Sequence, residues 1–147
     1  MLDKTMIGKA LSTHSATVEA GRLRFFAKAI GETDPVYVDA AAAQAAGHRG
    51  LPVPPTFLFC LDMEVPDPFA WFASVGLELS KILHGEQHFQ YQRMAYAGDT
   101  LSFASRVADI YDKKAGAMEF IVKETRVSNQ DGAHIADLRT LIVQRNT

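Results

Sequence analysis

The 147-residue sequence predicts an α+β fold, in which an antiparallel β-sheet wraps around one central buried helix. Three observations predict it: a helical apolar period in the first half of the chain, alternation of apolar and polar residues in the second half, and one short segment that is apolar on nearly all sides. No linker, repeat or low-complexity stretch divides the chain. We therefore expect residues 1–147 to form a single domain.

The first half of the chain is predicted to be helical. Apolar residues recur at roughly helical spacing from Ser15 to Ile30, with Ser15 or Thr17 as the N-cap. Residues 40–46 are rich in alanine, the best helix former, and Asp39 precedes them as a cap. A glycine follows each of these segments, which is typical of a helix end.

The segment Thr56–Asp62, with the sequence TFLFCLD, is the predicted central helix. Three prolines between Leu51 and Pro55 make a stiff, extended approach to it. Cys60 lies within this apolar segment, so we expect an inert thiol rather than a nucleophile.

The second half of the chain is predicted to form four strands joined by short turns. The four segments are Lys81–Arg93, Leu101–Val107, Met118–Lys123 and Ile135–Val143. An N-terminal strand would bring the sheet to five strands. Five antiparallel strands wrapped around one helix make the hot-dog arrangement; a generic α+β domain is the alternative on the pattern alone.

Composition excludes several functional classes. The net charge is -2 and the pI is near 6.2, which argues against a nucleic-acid partner. A single cysteine excludes an internal disulfide framework and a multi-cysteine metal site. The first 20 residues lack the apolar stretch of a secretory signal, and no apolar run reaches membrane-spanning length. We therefore expect a cytoplasmic protein without a membrane partner.

Three segments resemble one known family. Residues 26–39, FAKAIGETDPVYVD, and residues 47–57, GHRGLPVPPTF, resemble the signature of the MaoC-like dehydratase/hydratase family. Residues 83–100, LHGEQHFQYQRMAYAGDT, resemble the strand and Gly-Asp turn of that family's N-terminal half-domains, the FAS1-like dehydratase type. The resemblance covers roughly residues 16–143 and implies the hot-dog fold.

The resemblance also implies a reaction: (R)-specific hydration of 2-enoyl thioesters, or dehydration of 3-hydroxyacyl thioesters. The thiol carrier would be coenzyme A or an acyl carrier protein, with no further cofactor. In such enzymes an Asp and a His hold a water and move the proton at C2. Here Glu32 and Tyr37 stand at those positions. A phenol with a pKa near ~10 is a poor proton acceptor at pH 7, so we predict a broken dyad.

Three functions follow from this departure. The leading one is a substrate-binding subunit of a heteromeric dehydratase, paired with a second MaoC-type hot-dog subunit that carries the Asp/His dyad. The second is a self-sufficient homodimeric hydratase in which Glu32 and His84 replace the dyad. The third is a non-catalytic acyl-thioester-binding protein or a thioesterase. In each case a dimer is expected, because the sheet has edges and a face to cover.

The remaining candidate residues are contacts to the substrate. His84 and Glu86, two residues apart on a predicted strand, would share a polar face, which is either the wall of a site or a solvated surface. His48 and Arg49 are either contacts to phosphates of the carrier arm or parts of a loop. The candidate substrate-binding residues are Asp34, His48, Arg49, Pro55, Thr56, Phe57 and Glu86. No metal site is expected, since His84 and His88 would lie about 13 Å apart.

Overall fold

The computed structural model describes residues 1–146, in which five antiparallel strands form one sheet. The strands are β1 (Ala10–Thr17), β2 (Ile82–Tyr91), β3 (Thr100–Lys113), β4 (Met118–Ser128) and β5 (His134–Arg145). Their order across the sheet is β1-β3-β4-β5-β2, so that β1 and β2 are the edge strands. The four predicted strands and the additional N-terminal strand are therefore confirmed.

Four α-helices accompany the sheet. They are α1 (Ala20–Ala29), α2 (Ala40–Ala45), α3 (Phe57–Asp62) and α4 (Phe72–Val75). The predicted cap of α2 is confirmed, because Asp39 Oδ1 accepts hydrogen bonds from the backbone N–H groups of Ala41 (2.7 Å) and Ala42 (3.0 Å). Within residues 1–146, no helix combines the length and the apolar character that a membrane span requires.

The central helix α3 lies on the inner face of the sheet, as predicted. Leu58 and Leu61 are 0% exposed and belong to one apolar cluster with Phe103 of β3 and Leu138 of β5. Phe59 lies on the other side of the helix and is only half-buried. An antiparallel sheet around one helix confirms the predicted α+β hot-dog fold.

The prediction of one helix from Ser15 to Ile30 is wrong at its N-terminal end. Residues up to Thr17 belong to β1, which pairs with β3, and α1 begins only at Ala20. Neither Ser15 nor Thr17 caps the helix, and Glu19 at the N-cap position makes no side-chain capping bond. Buried Ala16 and Val18 already alternate with exposed neighbours, the period-two pattern of a strand.

Both faces of β4 are buried in its first half. On the inner face, Ile121 packs with Phe72 and Val75 of α4, and Lys123 contacts Asp62 of α3. On the outer face, Phe120 and Val122 form another apolar cluster with Leu141 of β5. The strand alternation is thus correct, but the charged side of β4 faces the interior. A lysine that points into the interior needs a partner there.

Candidate functional site

The loop between α1 and α2 contains two of the three predicted catalytic residues, Glu32 and Tyr37. Gly31 at the end of α1 has φ +73°, a left-handed conformation that favours glycine. It turns the chain so that Glu32 Oε1 accepts hydrogen bonds from the backbone N–H groups of Thr33 (2.8 Å) and Asp34 (2.9 Å). Asp34 in turn caps the next short turn through the N–H of Val36 (3.0 Å). The Glu32 carboxylate is therefore held in a fixed orientation by its own loop.

Tyr37 lies at the end of that turn and is half-buried. Loss of water around its hydroxyl raises the pKa of Tyr37, and the negative charges of Glu32 and Asp34 raise it further. The phenol is therefore protonated at neutral pH and is able to donate a hydrogen bond. It does not offer the proton acceptor that a histidine at this position would supply.

Tyr91 at the end of β2 is a neighbour of Tyr37 that the sequence analysis missed. Loss of water raises the pKa of Tyr91 strongly, and repulsion from the Tyr37 phenolate contributes to the rise. Its ring stacks on Phe89, with the ring centroids 6.3 Å apart. The sequence contains one indication of this position: Phe89 and Tyr91 are two residues apart, and such residues share one face of a strand.

The predicted common face of His84 and Glu86 is wrong. The pairing of β2 with β5 shifts between these residues, and Gly85 lies so close to β5 that an added Cβ would be 3.1 Å from Val143. The bulge reverses the alternation. The ring of His84 packs against Phe59 of α3 at 5.2 Å, whereas Glu86 Oε2 lies 3.0 Å from His88 Nε2 on exposed side chains.

His84 is also separated from the Glu32 loop within one chain. Tyr91 marks the end of β2 next to Tyr37, and His84 lies seven residues earlier on the same strand. Seven residues of strand span about 20 Å. The geometry thus brings Glu32, Asp34 and Tyr37 together and leaves His84 at the other end of β2.

His48 and Arg49 line a corner held by Asp99. The Arg49 guanidinium donates to both carboxylate oxygens of Asp99 (2.5 and 2.7 Å) and lies over the ring of Tyr96 at 4.4 Å. His48 Nδ1 lies 3.3 Å from the Tyr96 hydroxyl. The charge of Arg49 is therefore already paired, although its side chain remains 56% exposed.

The remaining predicted contacts lie at the start of α3. Pro55 and Thr56 are exposed, and the Thr56 side chain makes no capping hydrogen bond. Phe57 is 4% exposed, with its ring 5.0 Å from that of Phe26 of α1, so its side chain belongs to the core. Burial raises the pKa of the Cys60 thiol, in agreement with an inert cysteine.

Two further charged residues were missed because they lie far apart in sequence. Asp62 at the end of α3 and Lys123 of β4 form an ion pair on the inner face of the sheet, with Nζ and Oδ2 2.7 Å apart. Among residues 1–146, no group of three or more His, Cys, Asp or Glu side chains is arranged to hold a metal ion.

An antiparallel sheet wrapped around one helix defines a hot-dog protein. A model of the FAS1-like dehydratase domain region matches residues 5–138. The chain belongs to this family, and the resemblance inferred from the sequence is confirmed.

Relatives and solved structures agree with this assignment. A UPF0336 protein of Streptomyces coelicolor is 33% identical over 146 residues, which cover 98% of this chain and 95% of the relative. The HadBC complex of Mycobacterium tuberculosis, a 3R-hydroxyacyl-ACP dehydratase, contains a chain that superposes with a TM-score of 0.81 at 23% identity, covering 94% of this chain and 96% of that one. A MaoC-like dehydratase superposes with a TM-score of 0.84 at 25% identity, over 97% of this chain but only 43% of its own length.

Proposed function

We propose that this chain is the substrate-binding subunit of an (R)-specific 3-hydroxyacyl-thioester dehydratase, an enzyme that also catalyses the reverse hydration of 2-enoyl thioesters. The state of Tyr37 is the observation that supports the assignment to a non-catalytic half. Dehydration requires a base that removes the proton at C2, and a phenol of raised pKa remains protonated at neutral pH. The substrate would be a thioester of coenzyme A or of an acyl carrier protein, with no further cofactor, in the cytoplasm.

Tyr37 and Glu32 retain a binding role in this proposal. The protonated phenol would donate a hydrogen bond to the thioester carbonyl, as an oxyanion-hole donor does. The Glu32 carboxylate, oriented by two backbone N–H groups, would accept a hydrogen bond from the substrate hydroxyl or from water. His48 and Arg49 would contact the phosphates of the carrier arm; the exposed side of the Arg49 guanidinium supports this, and its pairing with Asp99 weakens the attraction.

The partner would be a second hot-dog subunit that carries an intact Asp/His pair. Strand β2 is an edge of the sheet, and it exposes Leu83 (53%) and Tyr91 (38%). An edge strand with exposed apolar side chains favours pairing with another chain. The HadBC protein, to which this chain is similar in fold, is itself a complex.

A homodimeric hydratase is the second candidate, and the position of His84 favours it. His84 is exposed on the same edge strand. A second copy docked along β2 would bring His84 of one copy near Glu32 of the other. Pure protein that hydrates 2-enoyl-CoA, with loss of activity in both Glu32→Gln and His84→Ala, would establish this alternative. Release of free thiol instead of hydration would indicate a thioesterase.

The test of the leading proposal restores the missing base. We expect Tyr37→His alone to give little hydration of 2-enoyl-CoA, because the longer Glu32 side chain misplaces the water by about an ångström, which can cost ~100-fold. Tyr37→His combined with Glu32→Asp should raise the rate more, since each positioned acid/base group contributes about 10²–10⁴-fold. Tyr111→His, a change on the outer face of the sheet, is the matched control and should give no activity. No gain in the double variant, although it folds and binds acyl-CoA, would contradict the proposal.

A further inference from the structure

The ion pair between Asp62 and Lys123 is used neither by the loop around Glu32 nor by the proposed reaction. The two side chains are only 2% and 11% exposed. Removing two charges from water costs several kcal/mol, and apolar residues of similar size can often replace such a pair without loss of stability. A charged pair retained inside a small domain is therefore a candidate for a binding role.

Lys123 lines two clefts. The first, of about 90 Å³, has mainly apolar walls that include Phe59, Phe72 and Ile82. The second, of about 450 Å³, lies between β1 and the segment after α3, and both Asp62 and Lys123 line it. A ligand in either cleft would lie beside Lys123.

The junction has hydrogen-bonding capacity that the protein does not use. An ammonium has three donors, and within residues 1–146 Asp62 is the one acceptor of Lys123 Nζ. His14 lines the larger cleft, and its Nε2 donates to the carbonyl of Leu61 (3.1 Å). In the neutral ring this leaves Nδ1 as an acceptor, which is buried without a partner in the described part of the chain.

The inner side of β2 connects this junction with the Tyr37 loop. From Tyr91 the row continues through the stacked Phe89 to Gln87, whose Oε1 accepts a hydrogen bond from the Thr140 hydroxyl (2.8 Å). Thr140 and His84 both line the smaller cleft beside Lys123. From Tyr91 to Gln87 this row spans about 13 Å along β2. Thr140 pairs with Gln87 on one side and with Lys123 on the other, so the buried cation lies two strands across the sheet from the end of the row. A row with aromatic side chains at its start and a cation beyond its end fits an acyl chain with a polar terminus.

We propose that the junction of Asp62 and Lys123 is the distal end of the acyl-binding site, and that the preferred acyl group has a hydroxyl group at its far end. The inference rests on the proposed function, because the thioester is placed at the Tyr37 loop. Lys123 donates to the hydroxyl oxygen. Because Asp62 already neutralises Lys123, an uncharged hydroxyl fits this position better than a carboxylate.

The test compares pairs of saturated acyl-CoA thioesters, from medium to long chain, that differ only by a terminal hydroxyl group. Binding is measured by titration calorimetry on the full chain, alone and with its co-encoded partner. At the chain length that reaches Lys123, the hydroxylated member should bind about 10–100-fold tighter, as expected for a hydrogen bond from a charged donor. A terminal carboxylate should bind more weakly than the hydroxyl.

A double variant removes the junction without leaving an unpaired charge. Asp62→Leu with Lys123→Met retains the approximate volume of both side chains, so the variant should fold, and its acyl-CoA binding should show no preference for the hydroxyl. The matched control is Lys4→Met with Asp112→Leu, which removes an exposed ion pair of 2.9 Å elsewhere and should keep the preference.

The outcomes separate the two proposals. If plain acyl-CoA binds but the hydroxyl changes its affinity at no chain length, the distal site is wrong and the proposed function stands. If the double variant keeps the preference, or the carboxylate binds best, the distal site is again wrong. If neither member of any pair binds, with or without the partner, the proposed function itself fails.

Discussion

The loop around Glu32 and the ion pair of Asp62 with Lys123 hold charge in opposite ways. In the loop, the carboxylates of Glu32, Asp34 and Asp39 accept backbone N–H groups no more than three residues away, at exposed or half-buried positions. The ion pair joins residues 61 apart in sequence, and both are buried. Local hydrogen bonds form as soon as the loop turns, whereas the buried pair exists only once sheet and helix have packed.

This difference has energetic consequences. A capping carboxylate contributes about 1 kcal/mol, and its loss leaves groups that water can reach. Water does not reach a buried charge that has lost its partner, so single variants of the ion pair lower stability strongly. Substitutions in the loop should therefore change stability little and binding strongly, whereas single substitutions in the ion pair should be costly in stability.

Single substitutions in the ion pair should cause the largest loss of stability. Lys123→Met or Asp62→Leu alone should lower the free energy of unfolding by about 3–5 kcal/mol, since each leaves an unpaired buried charge. The combination should cost far less than the sum of the two. Urea denaturation of the three variants measures this. Additive single effects would mean that the charges do not interact.

Substitutions on the two sides of α3 should differ in how much stability they remove. Leu61→Ala should destabilise the protein by about 2–5 kcal/mol, because Leu61 is 0% exposed in the core. Phe59→Ala should cost at least about 1 kcal/mol less, since Phe59 is half-buried at the open side of the cleft. Equal losses in thermal and urea denaturation would place Phe59 in the core.

Asp99 has both local and distant hydrogen-bond partners. Its replacement should therefore cost less stability than a break in the buried ion pair and more than the loss of a loop carboxylate. Burial raises the pKa of Asp99, but hydrogen bonds from Arg49, from the Tyr96 N–H and from Gln130 outweigh it and lower the pKa overall. A lowered pKa adds stability above the unfolded value near 4, and this is lost as the pH falls. Asp99→Asn should cost about 1–2 kcal/mol at pH 7 and less at pH 3. A difference that does not change with pH would contradict the pKa argument.

The smallest expected effect is at the α2 cap. Asp39→Ala should cost about 1 kcal/mol, because two backbone N–H groups lose their acceptor at an exposed helix start. Asp39→Ser, which keeps a capping oxygen, should restore most of the loss. Thermal denaturation of both variants checks the assignment.

The sequence predicts the local features of this molecule well. Asp39 as a cap, the helix at α3 and the loop carboxylates follow from short patterns, because the bonded atoms lie within a few residues. The hot-dog fold follows from strand alternation together with one apolar helix. The exception is β1, whose polar residues resemble a helix surface and whose partner strand lies some 90 residues further on.

Long-range features are beyond such patterns. A one-residue bulge at Gly85 moves His84 to the inner face and leaves Glu86 outside, and a single glycine in a strand does not reveal its register. Lys123 alternates as a surface residue would, and only the packing of α3 brings Asp62 to it. The proximity of Tyr37 and Tyr91 likewise depends on how the loop folds against the end of β2.

We propose that this chain binds an acyl thioester but is unable to move the proton at C2. One preparation of the unmodified protein should be tested for binding of a saturated acyl-CoA and for hydration of the 2-enoyl-CoA of equal length. We expect measurable binding and hydration at the background rate, with turnover appearing only when the partner subunit is added. Robust turnover by the chain alone, abolished in Glu32→Gln, would contradict it and establish the homodimeric hydratase.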